Sequence, residues 1–131
     1  MTDLATDEAP IIDIGIKTRF LAEKSQPRDN RFVFAYTITL TNRGDIPAQL
    51  ISRHWIITDA NNDVQEAKGL GVVGEQPLLS PGDSYTYTSG VVLATYTGTM
   101  TGTYQMRTPG NALEYDAAIP VFGLVTPQRL H

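Results

Sequence analysis

Apolar and polar residues alternate with a period of two along most of this chain. Ile12, Ile14, Ile16 and Phe20 are interleaved with Asp13, Lys17 and Arg19, which predicts a strand with one buried and one wet face. In residues 31–41 the alternation is cleaner: Phe32, Phe34, Tyr36, Ile38 and Leu40 share one side, and Thr37, Thr39 and Thr41 the other. Asn42, Arg43, Gly44 and Asp45 are turn residues and should end that run. Residues 49–58 are apolar on both faces, which predicts a central third strand. Asn61 and Asn62 predict a tight turn before Val64, because asparagine tolerates positive φ.

The second half is punctuated differently. Residues 69–83 are rich in glycine and proline, which predicts irregular structure, a short strand near Leu78 and Leu79, and a turn at Ser80–Asp83. Residues 84–95 and 99–107 predict a further hairpin around Thr97 and Gly98. Met100, Tyr104 and Met106 should point inward and Thr99, Thr101 and Thr103 outward, as suits β-branched threonine on an exposed pleat. Residues 113–125 supply the last strand, whose Pro120 has no N–H donor and belongs at an edge or a bulge. No capped amphipathic run has helical length. About seven or eight short strands therefore predict an all-β antiparallel sandwich, with a β-barrel as the alternative.

Composition narrows the chemistry. The 131 residues suit one domain, 11–131, behind an acidic and flexible N-terminal tail, 1–10. With no cysteine, a disulfide framework, a thiolate nucleophile, an iron–sulfur cluster and a Cys-ligated zinc site are excluded. The formal net charge of −4 argues against a nucleic-acid partner. There is neither a secretory signal nor an apolar run of membrane-spanning length, so a cytoplasmic protein without membrane insertion is expected. Three of the 14 acids lie in residues 1–10, leaving 11 acids against 10 bases. The first hairpin, with Lys17, Arg19, Lys24, Arg28 and Arg31 against Glu23 and Asp29, is locally basic. It reads as a solvated loop or as a docking patch for an acidic partner.

Catalytic and metal motifs fail on context. Gly69-x-Gly71-x-x-Gly74 is spelled like a dinucleotide loop. However, no helical pattern follows, Glu75 would repel a phosphate, and the ribose-binding acid is missing. Two readings remain: an anion nest of backbone N–H groups, or glycines that permit a bulge or an unusual crossover. Asp59-x-Asn61-x-Asp63 imitates a calcium loop, but Val64 and Leu70 stand where glycine and glutamate are required. Ser52, Ser80, Ser84 and Ser89 lie in no nucleophile elbow. If Trp55 points inward, Arg53 shares its parity and His54 faces outward, where local hydrogen bonding is expected. No catalytic residue, metal ligand or cofactor is expected.

The run Phe34-Ala35-Tyr36, then Ser52 through Asp59, then Gly69 through Pro77, Leu79-x-Pro81-Gly82, Tyr87-Thr88-Ser89 and Gly98-x-Met100-x-Gly102-x-Tyr104-x-Met106 together resemble the ApaG family. The resemblance runs from about Ile11 to Val125. It implies an immunoglobulin-like sandwich of the fibronectin type III kind and no established catalytic residues. It implies a small protein-interaction domain, since related domains are appended to some F-box proteins. A second implication is a nucleotide or pyrophosphate sensor, from a gene neighbourhood shared with a diadenosine tetraphosphate hydrolase. On this chain that sensor would use Gly69, Gly71 and Gly74, with Arg53 and His54 alongside. A third is an accessory role in cobalt and magnesium homeostasis. The partner's identity and the oligomeric state are left open.

Overall fold

A computed structural model describes residues 11–110 and 113–127. The alternating segments become eight strands: β1 (Ile12–Phe20), β2 (Phe32–Asn42), β3 (Ala48–Asp59), β4 (Val64–Leu70), β5 (Leu78–Leu79), β6 (Ser84–Leu93), β7 (Thr97–Thr108) and β8 (Leu113–Val125). One sheet has the order β1-β2-β6. The other has the order β4-β3-β7-β8, with β5 also pairing to β3. Every pairing is antiparallel. The architecture is the expected sandwich. Among the described residues, two single-turn 3₁₀ segments, Ala22–Lys24 and Pro27–Asp29, interrupt it. No helix among the described residues is long and apolar enough to cross a membrane.

The period-two pattern decides what is buried. Phe34, Ile38 and Leu40 from β2 meet Leu50 and Trp55 from β3 and Met100, Tyr104 and Met106 from β7, all buried. Trp55 sits edge-on to Tyr36, Tyr104 and Phe122, with ring centroids 5.2, 6.2 and 5.9 Å away. Such pairs add about 0.5–1.5 kcal/mol each beyond area burial. On the wet side of the small sheet, hydroxyls pair across β2 and β6: Thr37 with Thr88, Thr39 with Thr86, and Thr41 with Ser84, at 2.8, 2.9 and 2.7 Å.

Three local expectations change. Asn42 is not a surface turn residue but the fully buried end of β2. Its side-chain amide donates to the carbonyls of Ile46 and Leu79 (2.8 and 3.0 Å), and its Oδ1 accepts from Gly44 N–H (2.9 Å). Its own backbone bonds to Asp83 and Gly82. Burying asparagine is tolerable because every polar atom is matched. Second, β6 and β7 do not form a hairpin. They lie in different sheets, and the chain crosses over at residues 94–96, while Thr97 and Gly98 already pair with Val125 and Leu124. Third, β3 is central as expected, but its two-faced apolar pattern has a specific cause. Its register against β7 shifts between Leu50 and Ser52, leaving Ile51 as a one-residue bulge. Ala48 and Leu50 are buried before the bulge, and Trp55 and Ile57 after it. One extra residue moves the core-facing set from even to odd positions. Pro120 lies where expected, on an edge strand at a register shift.

The Tyr87 and Tyr104 hydroxyls share a hydrogen bond of 2.5 Å in the core. Burial pushes both phenols well above their ordinary range; the shared hydrogen bond offsets part of this at Tyr87 and adds to it at Tyr104. Burial also pushes Tyr115 up to about 12. In the unfolded chain all three ionise near pH 10. The stabilisation from keeping them neutral is therefore complete below about pH 10 and is lost as pH rises above it.

Two outcomes are expected. In urea unfolding, Asn42→Ala should lose about 2–4 kcal/mol, because it strands one buried and two part-buried partners, whereas Thr39→Val should change stability by less than about 1 kcal/mol. A pH series of the same measurement should be flat from neutrality to about pH 9 and fall above about pH 10, with a shallower fall in the Tyr87→Phe/Tyr104→Phe double variant.

Candidate functional site

The residues singled out by sequence converge on one edge of the large sheet, around the Ile51 bulge. A bulge leaves ladder groups unpaired, and here the glycine-rich segment pairs them. Gly71 N–H and the Gln76 side chain both donate to the Ile51 carbonyl, at 2.8 and 2.9 Å. Leu50 N–H donates to the Pro77 carbonyl at 3.0 Å, and the Gln49 side chain to the Gln76 carbonyl at 3.1 Å. Val72 and Glu75 exchange backbone hydrogen bonds of 2.8 and 2.9 Å, and Val72 is buried in the core. Val73 and Gly74 at the tip of this small hairpin have φ of 49° and 80°, the two positive values of a type I′ turn.

The three glycines therefore have separate jobs. A Cβ on Gly71, whose φ is +61°, would lie 2.2 Å from the Glu75 carbonyl oxygen. A Cβ on Gly69 would lie 2.8 Å from the Arg53 guanidinium. Gly74 has open space around it and only needs positive φ. Gly71, Val72 and Glu75 use their N–H groups within the fold, so the consecutive donors of an anion nest are interrupted. The reading in which the glycines permit an unusual connection describes this geometry.

Arg53 and His54 diverge, as their parity requires. Arg53 pairs with Gly69 on one side and buried Tyr104 on the other, on the core-facing side of the sheet. Its guanidinium crosses Gly69 and donates through Nη1 to the carbonyls of Leu70 and Gly71, at 3.1 and 2.7 Å. His54 faces outward, with Nε2 2.7 Å from Glu66 Oε1. Ser52 shares that outer face, but its hydroxyl donates to Gln105 Oε1 at 2.9 Å and not to the imidazole. Serine, histidine and glutamate are thus neighbours without the nucleophile–base bond that acyl transfer needs. The Asp59 carboxylate caps its own turn, accepting from the N–H groups of Asn61 and Asp63 at 2.8 and 3.1 Å. Among the described residues, no group of three His, Asp or Glu side chains comes together.

The outer face holds an open cleft of about 480 Å³ lined by Ser52, Arg53, His54, Lys68, Gly69, Leu70 and Gln105. Leu70 lines it, and two more apolar residues of the glycine-rich segment and β5, Val73 and Leu78, follow along the same edge of β3; the three are 75%, 63% and 54% exposed. The sequence reading passed over these three. The parity signal was available: in β4, Leu70 is in phase with the outward Glu66 and Lys68. Val73 adds strain, since a β-branched residue rarely takes positive φ.

Residues 22–108 match the family described as the ApaG domain. The chain is 56% identical over 120 residues to Protein ApaG of Pseudomonas aeruginosa, covering 92% of this chain and 94% of that protein. It is 59% identical over 121 residues to Protein ApaG of Thiobacillus denitrificans, with the same two coverages of 92% and 94%. The crystal structure of the ApaA protein from Bordetella pertussis matches with a TM-score of 0.88 at 47% identity, over 92% of this chain and 97% of that one.

Substitutions in the loop should separate its three glycines and its strained valine. Gly71→Ala should cost about 3 kcal/mol or more, since backbone must move, and Gly74→Ala about 1–2 kcal/mol from the left-handed conformation alone. Val73→Asn should stabilise by about 0.5–1 kcal/mol, asparagine being favoured in a type I′ turn. Chemical unfolding of the purified variants checks the order.

Proposed function

The chain belongs to the ApaG domain family, and from that premise we propose that it is a non-enzymatic binding module that docks a protein partner on the outer edge of its large sheet. The observation that carries this reading is the exposed trio Leu70, Val73 and Leu78 beside the cleft. Clustered apolar side chains with a polar rim mark interaction surfaces. The strained Val73 strengthens the case. Its left-handed backbone costs stability, and its exposed side chain recovers little of that cost in the isolated domain. The engagement of Ser52 by Gln105 and of His54 by Glu66 supports a surface without a catalytic set. A cysteine-free chain suits the reducing cytoplasm as the site of this encounter.

A second reading keeps a pyrophosphate or nucleotide ligand but moves it from the loop amides to side chains. His54 and Lys68 are cross-strand neighbours on the cleft's face, and Lys68 lies within 4.0 Å of no carboxylate among the described residues, whereas the Arg53 guanidinium is held on the opposite face by the Leu70 and Gly71 carbonyls. A divalent-cation role has no assembled ligand set among the described residues behind it, so it is read as acting through a partner.

Leu70→Asp and Leu78→Asp change exposed side chains and should leave the melting temperature within a few degrees of the parent. Either should lower recovery of a captured partner at least tenfold, while Thr39→Asp on the small sheet should not. Equal recovery by all three would refute the docking surface. Titration with pyrophosphate, followed by amide shifts, tests the second reading. Shifts at His54 and Lys68 support it, and shifts confined to Val73 and Gly74 return the ligand to the loop.

A further inference from the structure

The outer strands of a sandwich carry unpaired backbone donors and acceptors, and such an edge is a template for another strand. The fourth strand, β4, is an edge of the large sheet, and among the described residues no strand pairs with its free side. Six of its seven residues are exposed, so the small sheet does not cover it. Its backbone phase is set by β3. The Gly71 N–H and the Asp63 carbonyl both bond to β3, and residues that bond to one neighbour alternate along an antiparallel strand. Val64, Glu66, Lys68 and Leu70 therefore aim their N–H and C=O groups at the free edge. Their side chains share the outer face with His54, which lies opposite Lys68.

We propose that β4 is the pairing edge for a second copy of this chain, antiparallel about a two-fold axis at Ala67. In that register the strand, VQEAKGL, is its own complement. Glu66 faces the partner's Lys68, and Lys68 faces the partner's Glu66. Val64 and Leu70, 58% and 75% exposed, face each other at both ends. These four are the residues whose backbone groups point across the edge, so the charge match and the hydrogen-bond register coincide. On the other face Gln65 meets the partner's Gly69, beside the Arg53 guanidinium.

Charge selects this occupant. Lys68 lies within 4.0 Å of no carboxylate among the described residues. Glu66 gives Oε1 to His54 and keeps Oε2 for a cation across the edge. A foreign strand has to bring apolar, basic, acidic and apolar residues at alternate positions, and this chain carries that order itself. The other edges lack it. On β1, the register that sets Asp13 against the partner's Lys17 leaves Arg19 against the partner's Ile11, and Asp13 is already held by Arg43 at 3.1 Å. The charges of β8 are all acids, and β6 has none, so neither specifies a copy of itself. One strand edge falls short of the roughly 1,200–2,000 Å² of a stable complex, and the dimer is accordingly weak and reversible. Leu70 belongs both to this edge and to the docking patch, so a copy paired on β4 excludes another protein from that residue.

Sedimentation of the full chain from about 10 µM to 1 mM tests the pairing. The average mass should rise toward the dimer with concentration. Glu66→Lys and Lys68→Glu each set like charges across the axis and should weaken association at least tenfold. Both side chains are exposed, so each variant should melt within a few degrees of the parent. An equimolar mixture of the two variants restores the opposite-charge pairs and should associate as the parent does. Thr88→Lys on the small sheet should leave association unchanged. A parent that stays monomeric over the whole range, single variants that associate as well as the parent, or a mixture no better than its components would overturn the proposal. Recovery on mixing requires two copies of this chain, so its failure is distinct from a failure of foreign-protein docking at Leu70.

Discussion

Ile51 puts one more residue into β3 than β7 can match, and much of the molecule is arranged around that mismatch. Upstream, Ala48 and Leu50 face the core. Downstream, Trp55 and Ile57 do, so the phase change is what lets one strand serve both ends of the sandwich. At the bulge, the Ile51 carbonyl lies on the β4 side of the strand. The glycine segment binds it twice, through Gly71 N–H and the Gln76 side chain. Without that splice, β4 and β5 would have no common route along β3, and Val72 would not reach the core.

The surface chemistry follows from the same geometry. Carrying the chain past the bulge requires positive φ at Gly71 and at the Val73–Gly74 tip. It also requires a clear path over Gly69 for Arg53. The amides of Gly71, Val72 and Glu75 are engaged in this work. Toward solvent the splice leaves apolar Leu70 at the end of β4, Val73 at the tip and Leu78 in β5, beside exposed Glu75 and Gln76. Asn42 anchors the far side of β5 by binding the Leu79 carbonyl, which ties the small sheet to the segment that presents these side chains.

Much of the fold was legible because period two survives wherever one sheet face is wet. The outward direction of His54, the hairpin at Asn61–Asn62, the short strand at Leu78–Leu79 and the placement of Pro120 all followed from parity or backbone chemistry. The errors have physical reasons too. Turn residues near Thr97 and Gly98 mark a reversal, but a reversal within a sheet and an arch between sheets use the same residues. Asn42 looked like a turn residue because its buried partner, the Leu79 carbonyl, is set by tertiary structure. The glycine segment was legible in its conformation and not in its partners, since a bulge in β3 leaves no local mark. The tail and His131 lie outside the described residues.

Amide hydrogen exchange on the native domain tests most directly whether the glycine segment is a structural splice. The amides of Gly71, Val72 and Glu75 should be protected to about the same extent as the central residues of β3, opening only with large-scale unfolding. Exchange of all three near the rate of an unstructured peptide, with β3 still protected, would show that the segment is not bound to the bulge, and the account would fail.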